Sequence, residues 1–235
     1  SKIWTSTAQE ADNILLLART TAFEDAAKPT DGMTIFFTKL DRKKIEVRRI
    51  PKMGRAAVDS NAIFIEDFFI PNEDRIGEEG KGFYYLLHSL NPERIIVAAG
   101  AIGIAQDALR RAANYAKERV VFGRPIGQNQ SIQHPLAENW CEIEAAWLMT
   151  MKAATMYDRK EPCGSYANAA KFLGGRAAFN AAERAVLTHG GMGYAKEYQV
   201  ERLFREAVLQ RIAPITEQLI LSFIAEKELG QPKSY

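Results

Sequence analysis

The segment Arg119-Val-Val-Phe-Gly-Arg-Pro-Ile-Gly-Gln-Asn-Gln130 lies between two long stretches of helical periodicity, and this arrangement decides the fold class. In both stretches apolar residues recur at spacings of three and four, which places them in a stripe on one face of an α-helix. The stripes consist of Ile95, Ala98, Ile102, Ala105, Leu109, Ala112 and Ala116 before the segment, and of Ile132, Leu136, Trp140, Ile143, Trp147, Met151 and Ala154 after it. Two such helices joined by a short link predict an antiparallel pair.

The sequence beyond this pair predicts three more helices, at about 166–187, 200–209 and 216–229. The first of them is rich in alanine, which allows helices to approach closely. The last is followed by Gly230, a glycine in the position of a helix C-cap, before Pro232. Long helices with short links predict an antiparallel helical bundle.

Residues 1–78 show the pattern of short strands separated by turns instead. Apolar or alternating runs at 14–18, 33–38, 45–50 and 62–66 are punctuated by glycine and proline. Four or more such strands are enough to form an antiparallel sheet structure. The predicted fold class is therefore α+β, with an antiparallel β region followed by a helical bundle.

The composition excludes several classes of protein. Hydrophobic residues make up 47% of the chain and charged residues 26%, which is ordinary for a globular protein and unlike a disordered one. The 31 basic and 29 acidic residues are mixed along the chain, which argues against nucleic-acid binding. The apolar runs are short, so no membrane span is predicted. Two cysteines and three separated histidines lack the spacing of metal ligands.

Two segments each allow a structural and a functional interpretation. Arg119–Gln130 is either a helix connector, with Arg119 complementing the helix dipole and Gly123 as the cap, or a loop that holds an anionic cofactor. In the second case Arg119 meets a phosphate and Phe122 packs against a planar ring. His189–Tyr194, with three glycines, is either a plain turn between helices or a phosphate-binding turn. It lacks the preceding strand of a P-loop or Rossmann motif.

Together these segments resemble signatures of the acyl-CoA dehydrogenase family. One signature is matched in full by Arg119, Phe122, Gly123, Ile126 and Gln130. Most of a second is matched by Gly190–Tyr194 followed by Glu201–Arg205, with Leu187 at a position where the family usually has Gln. The start of the chain, Lys2-Ile-Trp-Thr-Ser6, resembles the family's Lys-x-Trp-Ile-Thr segment. The resemblance covers essentially the whole chain.

The resemblance implies a domain organisation. Residues 1–78 would be the C-terminal part of a middle β domain, and residues 79–235 a C-terminal helical bundle domain. The family's N-terminal helical domain has no counterpart in this sequence. The expectation is therefore a partial β domain and a bundle that form a fragment of a longer enzyme.

The resemblance also implies FAD as the cofactor and no metal. The implied FAD contacts are Trp4, Ser6, Arg119, Phe122, Gln130, Gly190 and Gly191. In the family the tryptophan lies beside the flavin, and the hydroxyl at the position of Ser6 bonds flavin N5. The loop 119–130 reaches the FAD of a neighbouring subunit, which implies a homodimer or homotetramer.

In the family reaction a carboxylate removes a proton from Cα of the thioester, and a hydride leaves Cβ for the flavin. Ala213 occupies the usual base position here, so that only its backbone N–H is left to polarise the thioester carbonyl. Leu90-Asn-Pro-Glu-Arg94 resembles the isovaleryl- and long-chain subgroup, which implies Glu93 as the base. The same match implies substrate contacts for Asn91 and Arg94.

Other roles stay open for these residues. The segment 91–93 also fits a helix start, with an N-cap, a first-turn proline and an acid that complements the helix dipole. Arg94 either lines the substrate cavity or pairs with a carboxylate on a neighbouring helix. Glu217 is the rival base, although a proline disfavours a single helix that includes both it and Ala213.

The predicted function is FAD-dependent α,β-dehydrogenation of an acyl-CoA thioester to the trans-2-enoyl-CoA. The resemblance implies an electron-transferring flavoprotein as partner, and a location in the cytoplasm, or in the mitochondrial matrix of a eukaryote. Two alternatives stay open: a related flavin oxidase or monooxygenase, and a non-catalytic interaction protein on a decayed dehydrogenase scaffold. Ala213 and Leu187 favour the last of these.

Overall fold

The computed structural model describes residues 1–234. Contacts within the chain divide it into two compact units, the first of which is Ser1–Leu90 and the second of which begins at Asn91. The domain boundary predicted at 78/79 stays a prediction.

The first unit contains two three-stranded antiparallel sheets. The strands are β1 (Lys2–Ser6), β2 (Asn13–Arg19), β3 (Met33–Lys39), β4 (Ile45–Arg49), β5 (Ser60–Ile65) and β6 (Arg75–Ile76). Their orders are β1-β5-β4 and β2-β3-β6. Buried aliphatic side chains, among them Ile14, Leu16, Ile45 and Ile63, form the core of this unit. The alternation of buried and exposed residues along β2 is what one buried sheet face requires.

Five helices follow, and their bounds agree with the predicted periodicity to within a few residues except at the start of the first. They are α1 (Gly82–Glu118), α2 (Gln130–Asp158), α3 (Gly164–His189), α4 (Val200–Ile212) and α5 (Glu217–Glu228). Two-residue strands β7 (Val120–Val121) and β8 (Arg124–Pro125) form a ribbon between α1 and α2. The antiparallel β region followed by a helical bundle confirms the predicted fold class.

Small residues allow α3 to pack closely against its neighbours. A side chain added at Gly174 would place its Cβ 3.1 Å from the Ala98 carbonyl oxygen on α1. One added at Gly175 would place it 2.6 Å from the Gln210 carbonyl oxygen on α4. The buried alanines of α3 belong to two core clusters, with Ala167 and Ala170 in one and Ala177, Ala178, Ala181, Ala182 and Ala185 in the other. Alanine and glycine are therefore required here by the short distance between backbones.

The two predicted apolar stripes differ in how far they are buried. The stripe of α1 is buried, as Ala98, Ile102 and Ala105 show. On α2 the prediction was wrong in part, because Trp140 and Trp147 are exposed, and so is Met151. The buried residues of α2 are instead Asn139, Ile143, Ala146, Thr150 and Ala153. The small residues of this face match the alanine-rich surface of α3, whereas tryptophan would hold the two helices apart.

One stretch was overlooked by the prediction that no helix spans a membrane. By length and composition alone, Val200–Glu228 is apolar enough to cross a bilayer, and 22% of its apolar 18-residue window is buried inside the chain. This stretch consists of α4 and α5, with 13 and 12 residues, separated by residues 213–216. Each helix is shorter than the roughly 20 residues that a span requires. The stretch is therefore weak evidence for a membrane span.

Candidate functional site

Glu93 lies well inside a helix. Since α1 begins at Gly82, the alternative of a helix start at Asn91 is wrong, and Glu93 is not an acid of the first helical turn. Pro92 is an interior proline and cannot donate to the carbonyl of His88 one turn earlier. The Glu93 side chain is exposed. It is thus a carboxylate that faces away from the core, and it follows a residue at which one backbone hydrogen bond of the helix is missing.

Arg94 and Asn91 are joined beside Glu93. The Arg94 guanidinium donates from Nη1 to Oδ1 of Asn91 over 3.0 Å. Burial lowers the pKa of Arg94, an effect that the nearby charge of Glu93 opposes. The ion pairs found among residues 1–234 do not include Arg94, so the predicted alternative of a structural pair on a neighbouring helix finds no support. A half-buried cation with a neutral partner is suited to bind a polar or anionic ligand group.

Ala213 directly follows α4 and is the first of four residues, 213–216, that form a turn leading into α5. Its φ and ψ of −116° and 156° are extended, and its peptide bond to Pro214 is cis. The Ala213 N–H donates to the Leu209 carbonyl over 3.0 Å. To polarise a thioester carbonyl as predicted, this N–H has to be shared between two acceptors, an arrangement that is common at helix termini.

Glu217, the rival base, is the first residue of α5 and is held by cations. Its two carboxylate oxygens accept from Nε and Nη2 of Arg211 over 2.7 and 2.9 Å, and Arg176 lies 3.6 Å away. Only 7% of its side chain is exposed. The hydrogen bonds from Arg211 hold the pKa of Glu217 below its usual range despite burial. A carboxylate stabilised in its charged form is a poor proton acceptor, so these contacts argue against Glu217 as the base.

The sequence analysis missed Lys171, a fully buried cation of α3. Its side chain is 1% exposed, and Nζ donates to the Ile215 carbonyl over 2.6 Å. A signal was present in the sequence: Lys171 follows Ala167 by four residues and Gly174 follows it by three, so it lies on the small-residue face of α3. A lysine on the face of a helix that packs against its neighbours indicates that a charged group is buried when the helices pack.

The predicted cofactor loop is a hairpin with a strained, exposed tip. Phe122 and Gly123 have φ of 52° and 79° and connect β7 to β8, so Gly123 is a turn residue and not the cap of α1. The Phe122 ring is fully exposed. A non-glycine residue with positive φ is uncommon and is concentrated at functional sites. Arg119 and Gln130, at the two ends of the loop, are exposed as well.

The glycine segment, Gly190–Tyr194, follows α3, and its first two glycines face open space. Gly190 has a φ of 60°, and no atom lies within 4 Å of a Cβ built at Gly190 or Gly191. A Cβ at Gly193 would instead lie 2.2 Å from the Val186 carbonyl oxygen, so glycine is required there by the fold. The preceding His189 is buried and stacked on Tyr115, with ring centroids 4.2 Å apart. A rigid support therefore holds backbone that a ligand can approach.

In the first unit, Trp4 lies at an irregularity of β1. The register against β5 shifts between Lys2 and Thr5, and Trp4 has a φ of 64°. Its side chain is exposed, and so is that of Ser6. Bulges of this kind redirect side chains and are frequent near active sites.

The second unit has the sequence of a known domain. The family model "Acyl-CoA dehydrogenase, C-terminal domain" matches residues 80–229. This chain belongs to the acyl-CoA dehydrogenase family. The match includes the hairpin, the glycine segment and both carboxylates described above.

Similar proteins are found in several bacteria. Acyl-CoA dehydrogenase fadE12 of Mycobacterium bovis is 38% identical over 209 residues, which are 88% of this chain and 51% of the relative. The caffeyl-CoA reductase–Etf complex subunit CarC of Acetobacterium woodii is 35% identical over 219 residues, 93% of this chain and 57% of the relative. The chain thus spans about half the length of the curated relatives it matches.

A solved structure confirms the fold assignment. The glutaryl-coenzyme A dehydrogenase–glutaryl-CoA complex has a TM-score of 0.91 and 32% identity to this chain, and the likeness covers 99% of this chain and 58% of that one. Acyl-CoA dehydrogenases are FAD-dependent. The residues present here fit such a group: Phe122 offers a free ring face, and the backbone at Gly190 and Gly191 is open to a ligand. Among residues 1–234 no cluster of side chains could hold a metal ion.

Proposed function

We propose that the complete protein of which this chain is part dehydrogenates an acyl-CoA thioester at Cα and Cβ to the trans-2-enoyl-CoA, with FAD as the oxidant. The observation that carries the proposal is the exposed carboxylate of Glu93 on α1, in a chain whose usual base position is the methyl group of Ala213. Glu217 is engaged by Arg211 and Arg176, so it does not compete for the role.

Glu93 acts as the base that takes the proton from Cα. Its exposed carboxylate is open to a substrate, as a base in contact with the Cα proton has to be. Arg94, beside it, is positioned by Asn91 and contributes positive charge where the thioester develops negative charge. The Ala213 N–H is the second polarising group, shared with the Leu209 carbonyl. FAD, when bound, supplies the acceptor for the hydride from Cβ.

The residues proposed to hold FAD have their polar or aromatic groups in the open. Trp4 and Ser6 of β1 present a ring and a hydroxyl, and the backbone at Gly190 and Gly191 accommodates a phosphate. Arg119 and Gln130 supply charge and hydrogen bonds in addition to the Phe122 ring. The support for this assignment is exposure and backbone strain at the same positions that carry the family signatures.

The proposed assembly is a homodimer or homotetramer that delivers its electrons to an electron-transferring flavoprotein. A fully exposed Phe122 at a strained hairpin tip supports a contact with a second copy or its FAD. The relative CarC belongs to a complex with such a flavoprotein, which supports the electron acceptor.

The test is spectroscopic. The purified complete gene product is expected to carry the visible absorption of oxidised FAD, and anaerobic addition of a suitable acyl-CoA from a panel of straight and branched chains should bleach it. A colourless protein that FAD cannot reconstitute would favour the non-catalytic scaffold. Rapid oxygen consumption during turnover would favour an oxidase or monooxygenase.

A further inference from the structure

Lys171 is the most unusual buried group in the second unit. It heads the fully buried side chains by volume, although it carries an ammonium group. Removing a charge from water costs several kcal/mol unless the charge is paired and hydrogen-bonded. A methionine of similar length would fill the same space without that cost. The presence of lysine therefore calls for a reason other than packing.

The partner of Lys171 is the turn 213–216. Its Nζ donates to the Ile215 carbonyl over 2.6 Å. The charge of Glu217, the residue after the turn, also acts on Lys171 and opposes the lowering of its pKa by burial. The lysine thus ties the middle of α3 to a turn that belongs to no helix.

A second interaction connects the two helices on either side of the same turn. Arg211 on α4 and Glu217 on α5 are joined by two hydrogen bonds, so their side chains connect the two helices that flank the turn. The Arg211 guanidinium also lies 5.0 Å from the centre of the Phe179 ring on α3. The turn is therefore held at its carbonyl by Lys171 and at its two ends by the Arg211–Glu217 pair.

We propose that Lys171 is a positioning residue that fixes the turn 213–216 beside the acyl thioester, with the Arg211–Glu217 pair as a brace. The proposal rests on the proposed function, in which the Ala213 N–H polarises the thioester carbonyl. Pro214 has no N–H and cannot anchor the turn by itself. A displacement of an oxyanion donor by about 1 Å costs much of its effect, so a rigid attachment of this turn has a catalytic reason.

The experiment compares two lysine variants in the complete gene product. Lys171→Met removes the charge and the hydrogen bond but keeps the apolar stem, and Lys227→Met makes the same change at an exposed lysine of α5. Because Lys171→Met also removes the cost of burying a charge, the fold is expected to persist. We expect Lys171→Met to lower kcat about tenfold or more and to change KM less than about threefold, since the lost interaction acts in the transition state. Amide hydrogen exchange should accelerate only in residues 210–220.

Each outcome is decisive. Equal kcat in the two variants, or an effect confined to thermal stability, overturns the proposal. If the wild type holds FAD but turns over no acyl-CoA, the proposed function fails, while exchange still decides the attachment. Faster exchange confined to 210–220 supports it, and unchanged exchange overturns it. If Lys171→Met does not fold, the double variant Arg211→Met with Glu217→Gln replaces it, and the same selective loss of kcat is required.

Discussion

Glu93 and Glu217 are the same side chain in opposite surroundings. Each has an arginine in its neighbourhood and a proline one or three residues before it. The carboxylate of Glu93 is exposed on α1, whereas that of Glu217 is buried between Arg211 and Arg176. The difference teaches that a carboxylate near a predicted site can act as a base only if its oxygens are not already engaged by hydrogen bonds or ion pairs within the protein. One that already accepts two hydrogen bonds from Arg211 and lies 3.6 Å from Arg176 has a structural role.

The largest effect should come from the free carboxylate. We expect Glu93→Gln to reduce turnover of acyl-CoA by about 10²- to 10⁴-fold, because the amide cannot accept the Cα proton. The free energy of unfolding should change by less than about 0.5 kcal/mol, since the side chain is exposed. Steady-state kinetics and urea denaturation of the complete gene product measure the two quantities.

Glu183→Gln, at an exposed glutamate of α3, is the matched control and should change neither quantity. Turnover retained in Glu93→Gln would remove Glu93 from the mechanism. Loss of bound flavin in the same variant would instead assign it a role in binding. Either result would contradict the claim that Glu93 is the catalytic base and that it differs from Glu217 in this respect.

The second effect concerns stability and falls on the buried carboxylate. Glu217→Gln should lower the free energy of unfolding by about 2 kcal/mol, less than the roughly 3–5 kcal/mol of a fully buried pair, because Arg211 and Arg176 are partly in water. The double variant Arg211→Met with Glu217→Gln should be less destabilised than the sum of the single variants. Denaturation of the four proteins gives the coupling directly. Additive losses would mean that Arg211 and Glu217 do not act as a pair.

The buried carboxylate of Glu217 should also make the free energy of unfolding depend on pH. The hydrogen bonds from Arg211 lower the pKa of Glu217 in the folded state. Its contribution is therefore complete above the unfolded pKa of about 4.3 and is lost as the pH falls through the lower folded value. Between pH 5 and roughly pH 3, the free energy of unfolding should decline less steeply in Glu217→Gln than in the wild type. Parallel curves would show that the pair does not stabilise the charged carboxylate.

The sequence predicted the fold class and the helices well because helical periodicity is a local property. It failed on α2, where Trp140 and Trp147 fit the predicted stripe by spacing but are exposed. Spacing assigns residues to a face of the helix. The distance to the neighbouring helix, however, decides whether the side chains on the buried face can be large or must be small. The neighbouring α3 presents alanines and glycines, so small residues of α2 are buried.

The candidate site was predictable where it depends on sequence motifs, and not where it depends on tertiary contacts. The hairpin strain at Phe122 and the brace of Glu217 cannot be read from spacing, since Arg211 precedes Glu217 by six residues across a helix break. Glu93 was open to interpretation as a cap because Asn91 and Pro92 imitate a helix start. The helix begins earlier, at Gly82, because the apolar pattern continues through the proline.

The smallest effect should come from the cap of α5. Thr216 precedes the helix, and its hydroxyl accepts from the Leu219 N–H over 3.4 Å, a long hydrogen bond. Thr216→Ala should therefore cost about 0.5 kcal/mol, at the low end for N-caps, whereas Thr216→Ser should be neutral. If urea denaturation instead shows a loss as large as that of Glu217→Gln, the cap stabilises the start of α5 as much as the Arg211–Glu217 pair does. The pair would then no longer be the main attachment of the buried carboxylate's helix, and the contrast between the two carboxylates would rest more on exposure than on the arginines.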